Sequence, residues 1–350
     1  MPGMQEIHPF LPTVYAIVVG LVGSMAVCLA GLAYLRRVRL ERPAIGTFNR
    51  RDIVVIFVFI VLLPVMYLTF PIWLSTCLLI VTFAGALAIG YKPVLTPTQL
   101  WLGIGILIGA NLWIARTMLG TVSGWQLFWI ESNIIVVLAA VAVVNLYVQG
   151  GMRLQHVAWF AFTLAIYDAT FITVVPLTNA LVQGFLGYPL NPSFGMRIGL
   201  YNASIGIGDL LVYGAFTIAA YKAYGRQAAQ ISLVLVALFG AVAPGGVGLI
   251  FESLTDARTD IIVPAQTVFG PVAFVAYLWM RHHYGRERTM GEFLASSDVG
   301  TPISAVGRVV PGTSAAVPAA APAASAEPVA VATDAAASGP APSAAPGPGS

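Results

Sequence analysis

The sequence predicts an all-α polytopic membrane protein: about nine transmembrane helices in one bundle, followed by a disordered C-terminal tail. Three observations predict it. Hydrophobic residues make up 58% of the chain and charged residues only 9%, with a mean hydropathy of +0.86, a composition no soluble globular domain carries. Apolar runs of about 17–25 residues, the length that crosses a bilayer core, recur along the chain. Lys and Arg are also spread unevenly over the connections between those runs. A net charge of +3 is too small to imply a nucleic-acid partner, and no basic patch with interleaved aromatics is present.

The runs fall at about 11–35, 53–70, 72–91, 98–118, 125–147, 157–178, 203–223, 230–251 and 261–281. The N-terminal stretch MPGMQEIHPF lacks a basic segment, so the first run reads as a retained helix and not as a cleaved leader. Only Phe70 and Pro71 separate the second run from the third, as in a tight re-entry or one broken element. Cys28 and Cys77 lie within apolar runs and read as buried thiols. Trp73, Trp101, Trp125 and Trp129 fall near span ends, where an interfacial aromatic belt belongs. Glu131, a turn or two into the fifth run, is assigned to an interface, and Glu252, Asp256, Arg258 and Asp260 to a solvated loop. Beyond Arg288 the chain turns to Ala, Pro, Ser and Gly, which cannot bury a core. The expected organisation is therefore a scaffold of five helices over 1–150, a second helical part over 151–288 and a tail over 289–350.

Positive charge orients the bundle. One side would hold Arg36, Arg37, Arg39, Arg42, Arg50, Arg51, Lys92, Arg153, Lys222, Arg226, Arg281, Arg286 and Arg288, the other only Arg116, Arg197 and Arg258. The first side is then cytoplasmic, which puts the N-terminus outside, the C-terminus inside and the loop over 179–202 outside. The Ala, Gly and Pro content points to a GC-rich prokaryotic genome and so to a plasma membrane.

Against this background two acidic residues stand out. Asp168 lies within VAWFAFTLAIYDATFITVV and Asp209 within IGIGDLLVYGAFTIAAY. An Asp near the centre of a membrane helix costs about 2.5–3.5 kcal/mol on insertion scales. If the sixth helix exits near Pro176 and the seventh begins near Tyr201, each Asp sits eight residues from the outer face, about 12 Å deep at the helical rise. The two could then meet at one level. Two carboxyls at hydrogen-bonding range in a low dielectric cannot both ionise, so they share one proton as in the aspartic proteases. Such a pair activates water and polarises a peptide carbonyl without a metal or cofactor, and it titrates as a unit. Gly206 and Gly208 clear space beside Asp209, and Ser204 with Gly208 offers a small-residue seam for a neighbouring helix. Tyr167 is off the helix face of Asp168 and packs elsewhere. Pro264, opening the ninth run before Ala265 and Gln266, removes a backbone donor and loosens the local helix.

Tyr167-Asp168, Gly206-Ile207-Gly208-Asp209 and Pro264-Ala265-Gln266, in that order on the sixth, seventh and ninth runs, resemble the YD, GxGD and PAL motifs of the presenilin and signal peptide peptidase family. The resemblance covers about 157–281; the first five runs match only in number and hydrophobicity. It implies a presenilin-like bundle and an intramembrane aspartyl endopeptidase. Asp168 and Asp209 would be catalytic, and Tyr167, Gly206, Gly208, Pro264, Ala265 and Gln266 would support the site or the substrate. The inferred orientation is similar to that of signal peptide peptidases, which implies transmembrane partners such as signal-peptide remnants and single spans with a cytoplasmic N-terminus. A homo-oligomer is compatible with it. Two departures stand out: Ile207 replaces a Leu, and Gln266 puts a polar amide where the family has the apolar side chain of PAL.

Other chemistries fit less well. There is no HExxH for a zinc protease, and His8, His156, His282 and His283 all lie at span ends, away from a Ser–His pair. Prepilin peptidases also carry GxGD but follow it with a Lys that is absent after Asp209. The rival from another class is a proton-coupled transporter, which also uses intramembrane acids; no second YD or GxGD copy in the first half suggests the internal repeat such a fold would show. A catalytically silent binder of transmembrane segments is the third alternative, with Gln266 as its one hint.

Overall fold

The computed structural model describes residues 10–40, 70–173, 187–198, 201–246 and 265–300, with single positions between 54 and 69. These residues all belong to a compact unit running to Arg308; a second unit, Val309–Ser350, lies outside the described residues. So do Pro264 and the acidic loop containing Glu252, Asp256, Arg258 and Asp260.

The elements in order are α1 (Phe10–Arg37), α2 (Ile72–Tyr91), α3 (Pro97–Thr117), α4 (Val122–Gln149), α5 (Leu154–Thr173), β1 (Ser193–Ile198), β2 (Tyr201–Gly206), α6 (Ile207–Tyr224), α7 (Arg226–Leu235), α8 (Ala265–Tyr284) and the short α9 (Met290–Leu294). A π-helical stretch, Val236–Val242, continues α7. Among the described residues five helices are long and apolar enough to cross a membrane: Thr13–Arg37, Ile72–Tyr91, Pro97–Thr117, Val122–Gln149 and Arg226–Gly246. The chain is thus predominantly helical and membrane-embedded in character. Between the second and third runs Pro71 takes an extended conformation and starts α2, which separates the two as distinct elements.

Helix α6 is the hub. Every residue from Val212 to Ala223 is buried, enclosed by α1, α4, α5 and α7. Close approach depends on glycine: a Cβ on Gly214 would come 3.0 Å from Val27 and 3.4 Å from Val144. By contrast α2 buries only the stripe Ser75, Leu79, Phe83, Leu87 and Gly90. Cys77 lies off that stripe and is exposed, unlike the buried Cys28, so only one of the two expected buried thiols is inside.

The most extensive pairing joins α5 to α8. Its seam consists of Ala158, Ala161 and Ala165 on α5 against Gly270 and Ala273 on α8, with all four alanines buried. Small residues let two helix backbones meet, which supplies packing where lipid provides no hydrophobic drive. The seam expected at Ser204 and Gly208 does not form. Ser204 lies on a strand and is exposed, and no described atom lies within 4 Å of a Cβ built on Gly208.

The strands are the main departure from an all-helical reading. β1 and β2 form an antiparallel hairpin with Ser193 opposite Gly206 and Ile198 opposite Tyr201. Along β2, Asn202 and Ser204 are exposed while Ala203 and Ile205 are buried, the period of two that a half-buried strand requires. Asn133 on α4 clamps β1 by donating to the Gly195 carbonyl at 2.7 Å and accepting from its N–H at 2.8 Å. Trp129 fills the space beside Gly195, where a Cβ would meet its ring at 2.8 Å. Trp129 is therefore buried and outside the interfacial belt, whereas Trp73 and Trp101 are exposed as that belt requires.

The opposite end of the bundle gathers the basic residues. Buried Lys222 donates to the carbonyls of Val148 and Met152 at the end of α4. Glu287 accepts from the N–H groups of Leu154 and Gln155 and so caps the start of α5. Arg288 donates to the carbonyls of Tyr221, Lys222 and Ala223, which closes the end of α6, and pairs with Asp298 at 2.9 Å. Acid at a helix start and base at a helix end both complement the macrodipole. Arg288→Ala is expected to destabilise the fold by about 2 kcal/mol, the scale of charge-assisted hydrogen bonds, seen as a lower melting temperature in detergent. Arg288→Lys should recover only part, because an ammonium lacks the planar fork.

Candidate active site

Helix α6 starts four residues later than the hydrophobic run suggests. β2 runs to Gly206, which is extended at φ −67° and ψ 147° and acts as the N-cap, and the Ile207 N–H donates to the Pro192 carbonyl at 2.8 Å. Asp209 is therefore the third residue of its helix, in the first turn, and not eight residues into a continuous span. The expected depth argument therefore fails for Asp209. Asp168 lies on α5, α5 packs on α6, and Asp168 lies within the field of Asp209. Both residues are half-buried.

Asp209 is the better supported of the two. The Gly206 backbone N–H and the Gln266 side-chain amide are the polar groups that act on it. A third-position carboxylate beside the N-cap amide occupies the place of the acid in a capping box, here with a glycine in place of the capping hydroxyl. Its Oδ2 lies 3.7 Å from where a Gly206 Cβ would stand. Gly206 has an ordinary backbone conformation, so its contribution is room beside the carboxylate and not unusual torsion angles. At Gly208 the space is open among the described residues.

The start of α8 completes the cluster. Ala265 and Gln266 open the helix, and Gln266 is buried. Its amide neighbours Asp209 without a fully formed hydrogen bond, since both Nε2 and Oε1 lack a partner among the described residues. Two edge-on ring contacts tie this region to α6: Phe269 with Tyr213 at 4.7 Å and with Phe216 at 5.7 Å. The Tyr213 hydroxyl donates to the Gly240 carbonyl at 3.1 Å, and its ring lies within the fields of Asp209, Asp168 and Cys28. Tyr167 packs edge-on to Phe57 at 6.2 Å, off the Asp168 face as its position on the helix requires. No Lys, Arg or His acts on either aspartate among the described residues.

Glu131 was missed as a buried group. It is 8% exposed, inside the bundle. Asn111 donates to Glu131 Oε2 and to Ser132 Oγ, and accepts from the Leu190 N–H at 2.7 Å. This network ties α3 and α4 to the segment leading into β1. The sequence signal for it was two polar residues, Asn111 and Glu131, on consecutive apolar runs.

The arrangement can do acid–base chemistry with two carboxyls that act on one another, one of them beside the polar groups of Gly206 and Gln266. Compared with known proteins, the chain matches no family model and no curated sequence.

Proposed function

We propose that the chain is an intramembrane aspartyl endopeptidase of the presenilin and signal peptide peptidase type. In this reading Asp168 and Asp209 hydrolyse peptide bonds of transmembrane segments, in particular signal-peptide-like or single-span substrates with a cytoplasmic N-terminus. The observation that carries the reading is that two aspartates, on the packed helices α5 and α6, lie within each other's field without any cation acting on them among the described residues. Two acids with no basic partner make poor structural glue, whereas they suit a shared proton. Among the described residues the space at Gly208 is open, which leaves room for a substrate. The outer edge of β1 is occupied by Asn133, while β2 leads directly to Gly206 and Asp209. An extended peptide laid along β2 would thus be guided to the carboxyls.

The same reading includes nine membrane crossings, an external N-terminus, a cytoplasmic C-terminus and a prokaryotic plasma membrane. Tyr167, Gly206, Gly208, Pro264, Ala265 and Gln266 support the site, and the scheme needs no cofactor. The test is incubation of the purified protein with a labelled single-span peptide. Cleavage within the apolar segment supports the reading. Intact peptide, together with pH-driven flux in liposomes, would favour the transporter alternative.

A further inference from the structure

We infer that the basic end of the bundle is a binding surface for anionic phospholipids, formed by Arg36, Arg37, Lys92, Arg153, Arg226 and Arg281. No part of it involves the aspartates. Hydrogen bonds gather these residues at one end. Gln149, closing α4, donates to the Val38 carbonyl just beyond α1, and Tyr34 on α1 donates to the Gly90 carbonyl near the end of α2. Lys222 ties the end of α6 to that of α4. Glu287 ties the chain beyond α8 to the start of α5, and Arg226 opens α7 directly after α6.

This end carries more positive charge than the acids beside it neutralise. Glu292 pairs with Arg286 and Asp298 with Arg288, while Glu287 is engaged in capping α5. All six cations are exposed, and none forms an ion pair among the described residues. Like charges gathered without counter-ions attract anions to the surface. The far end offers no such surface: its arginines among the described residues are Arg116 and Arg197, and Arg197 lies over the Trp125 ring at 4.8 Å.

The chemistry of the occupant follows from what lies next to the cations. Within about two helical turns of them, the same helices expose large apolar side chains: Leu29 on α1, Ile89 on α2, Trp159 on α5, Val234 on α7, and Leu278 and Trp279 on α8. A molecule that meets both zones carries an anionic head on an apolar body. Trp159 and Trp279 are also of the amphipathic type that sits at headgroup level. Clusters of basic residues at the ends of membrane helices recruit anionic lipid in this way. A free anion or an acidic soluble protein would use the arginines but leave the apolar zone unmatched.

The test uses the purified full chain in neutral detergent with equal amounts of phosphatidylglycerol and phosphatidylcholine of the same acyl chains, and reads the retained lipid by native mass spectrometry. Phosphatidylglycerol should be retained about fivefold or more over phosphatidylcholine, the scale of one basic residue near a headgroup. Changing all six residues to Gln should abolish the preference, whereas Arg116→Gln at the far end should keep it. The six changes break no ion pair, so melting in detergent should hold. If that variant does not fold, Arg36→Gln/Arg37→Gln/Arg226→Gln should lower the preference by itself. Inorganic phosphate or polyglutamate should release no more phosphatidylglycerol than sodium chloride of equal ionic strength. Greater release would reveal a site for free anions or for an acidic protein and overturn the inference. Equal retention of the two lipids by the parent, or an unchanged ratio in the variants, would overturn it as well.

Discussion

Asp209→Asn and Asp168→Asn should each lower cleavage of a labelled single-span peptide by about four orders of magnitude, the upper end of what general acid–base catalysis contributes. Neither amide can take or give the proton at the required moment, so loss of either residue stops the same step. Asparagine is the informative replacement at position 209. It keeps the size of the side chain and an oxygen beside the Gly206 N–H, so the start of α6 is little disturbed while the chemistry is lost. Asp209→Leu would remove both and confound the two effects. The expected pattern is therefore equal loss of cleavage in the two Asn variants with nearly unchanged melting in detergent. A variant that melts like the parent and still cleaves would remove its residue from the mechanism.

The second large effect is structural. Gly270→Leu should destabilise the bundle by about 1–3 kcal/mol or more, the cost of forcing atoms into a filled interface. A Cβ at Gly270 would collide with the Ala161 carbonyl and stand 2.7 Å from the Ala165 Cβ, so helix backbone must move. Because the α5–α8 seam carries Asp168 on one helix and Gln266 on the other, the displacement should also reduce cleavage. Gly109→Ala on α3 is the matched control. No described atom lies within 4 Å of its added Cβ, and alanine improves helix propensity by about 1 kcal/mol. Thermal melts of the two variants should therefore move in opposite directions.

The helical membrane character of the chain could be read from the sequence, as could two acids set within apolar runs. Long apolar runs admit few other structures, and an Asp in such a run is conspicuous. The hairpin was not legible because Ile205 and Ile207 extend the apolar pattern of α6 backwards, so the run seemed to begin near Tyr201. The alternation of Asn202, Ala203, Ser204 and Ile205 was the signal that could have separated strand from helix. The buried position of Glu131 depends on a partner twenty residues away on another helix, which spacing alone does not reveal. The same holds for Glu287 and Arg288: they look like solvated charges beside a helix end, yet they close the termini of α5 and α6. The α5–α8 seam was hidden because alanine in an apolar run serves a lipid-facing surface and a close helix contact equally well.

A hydroxyl-bearing peptide mimic of the tetrahedral intermediate offers the sharpest test, because its hydroxyl must sit between two carboxyls to bind tightly. Binding of a photoreactive form of such a mimic to the purified protein should be lost to the same degree in Asp168→Asn and in Asp209→Asn. Undiminished labelling after loss of either aspartate would show that the two side chains do not act on one ligand.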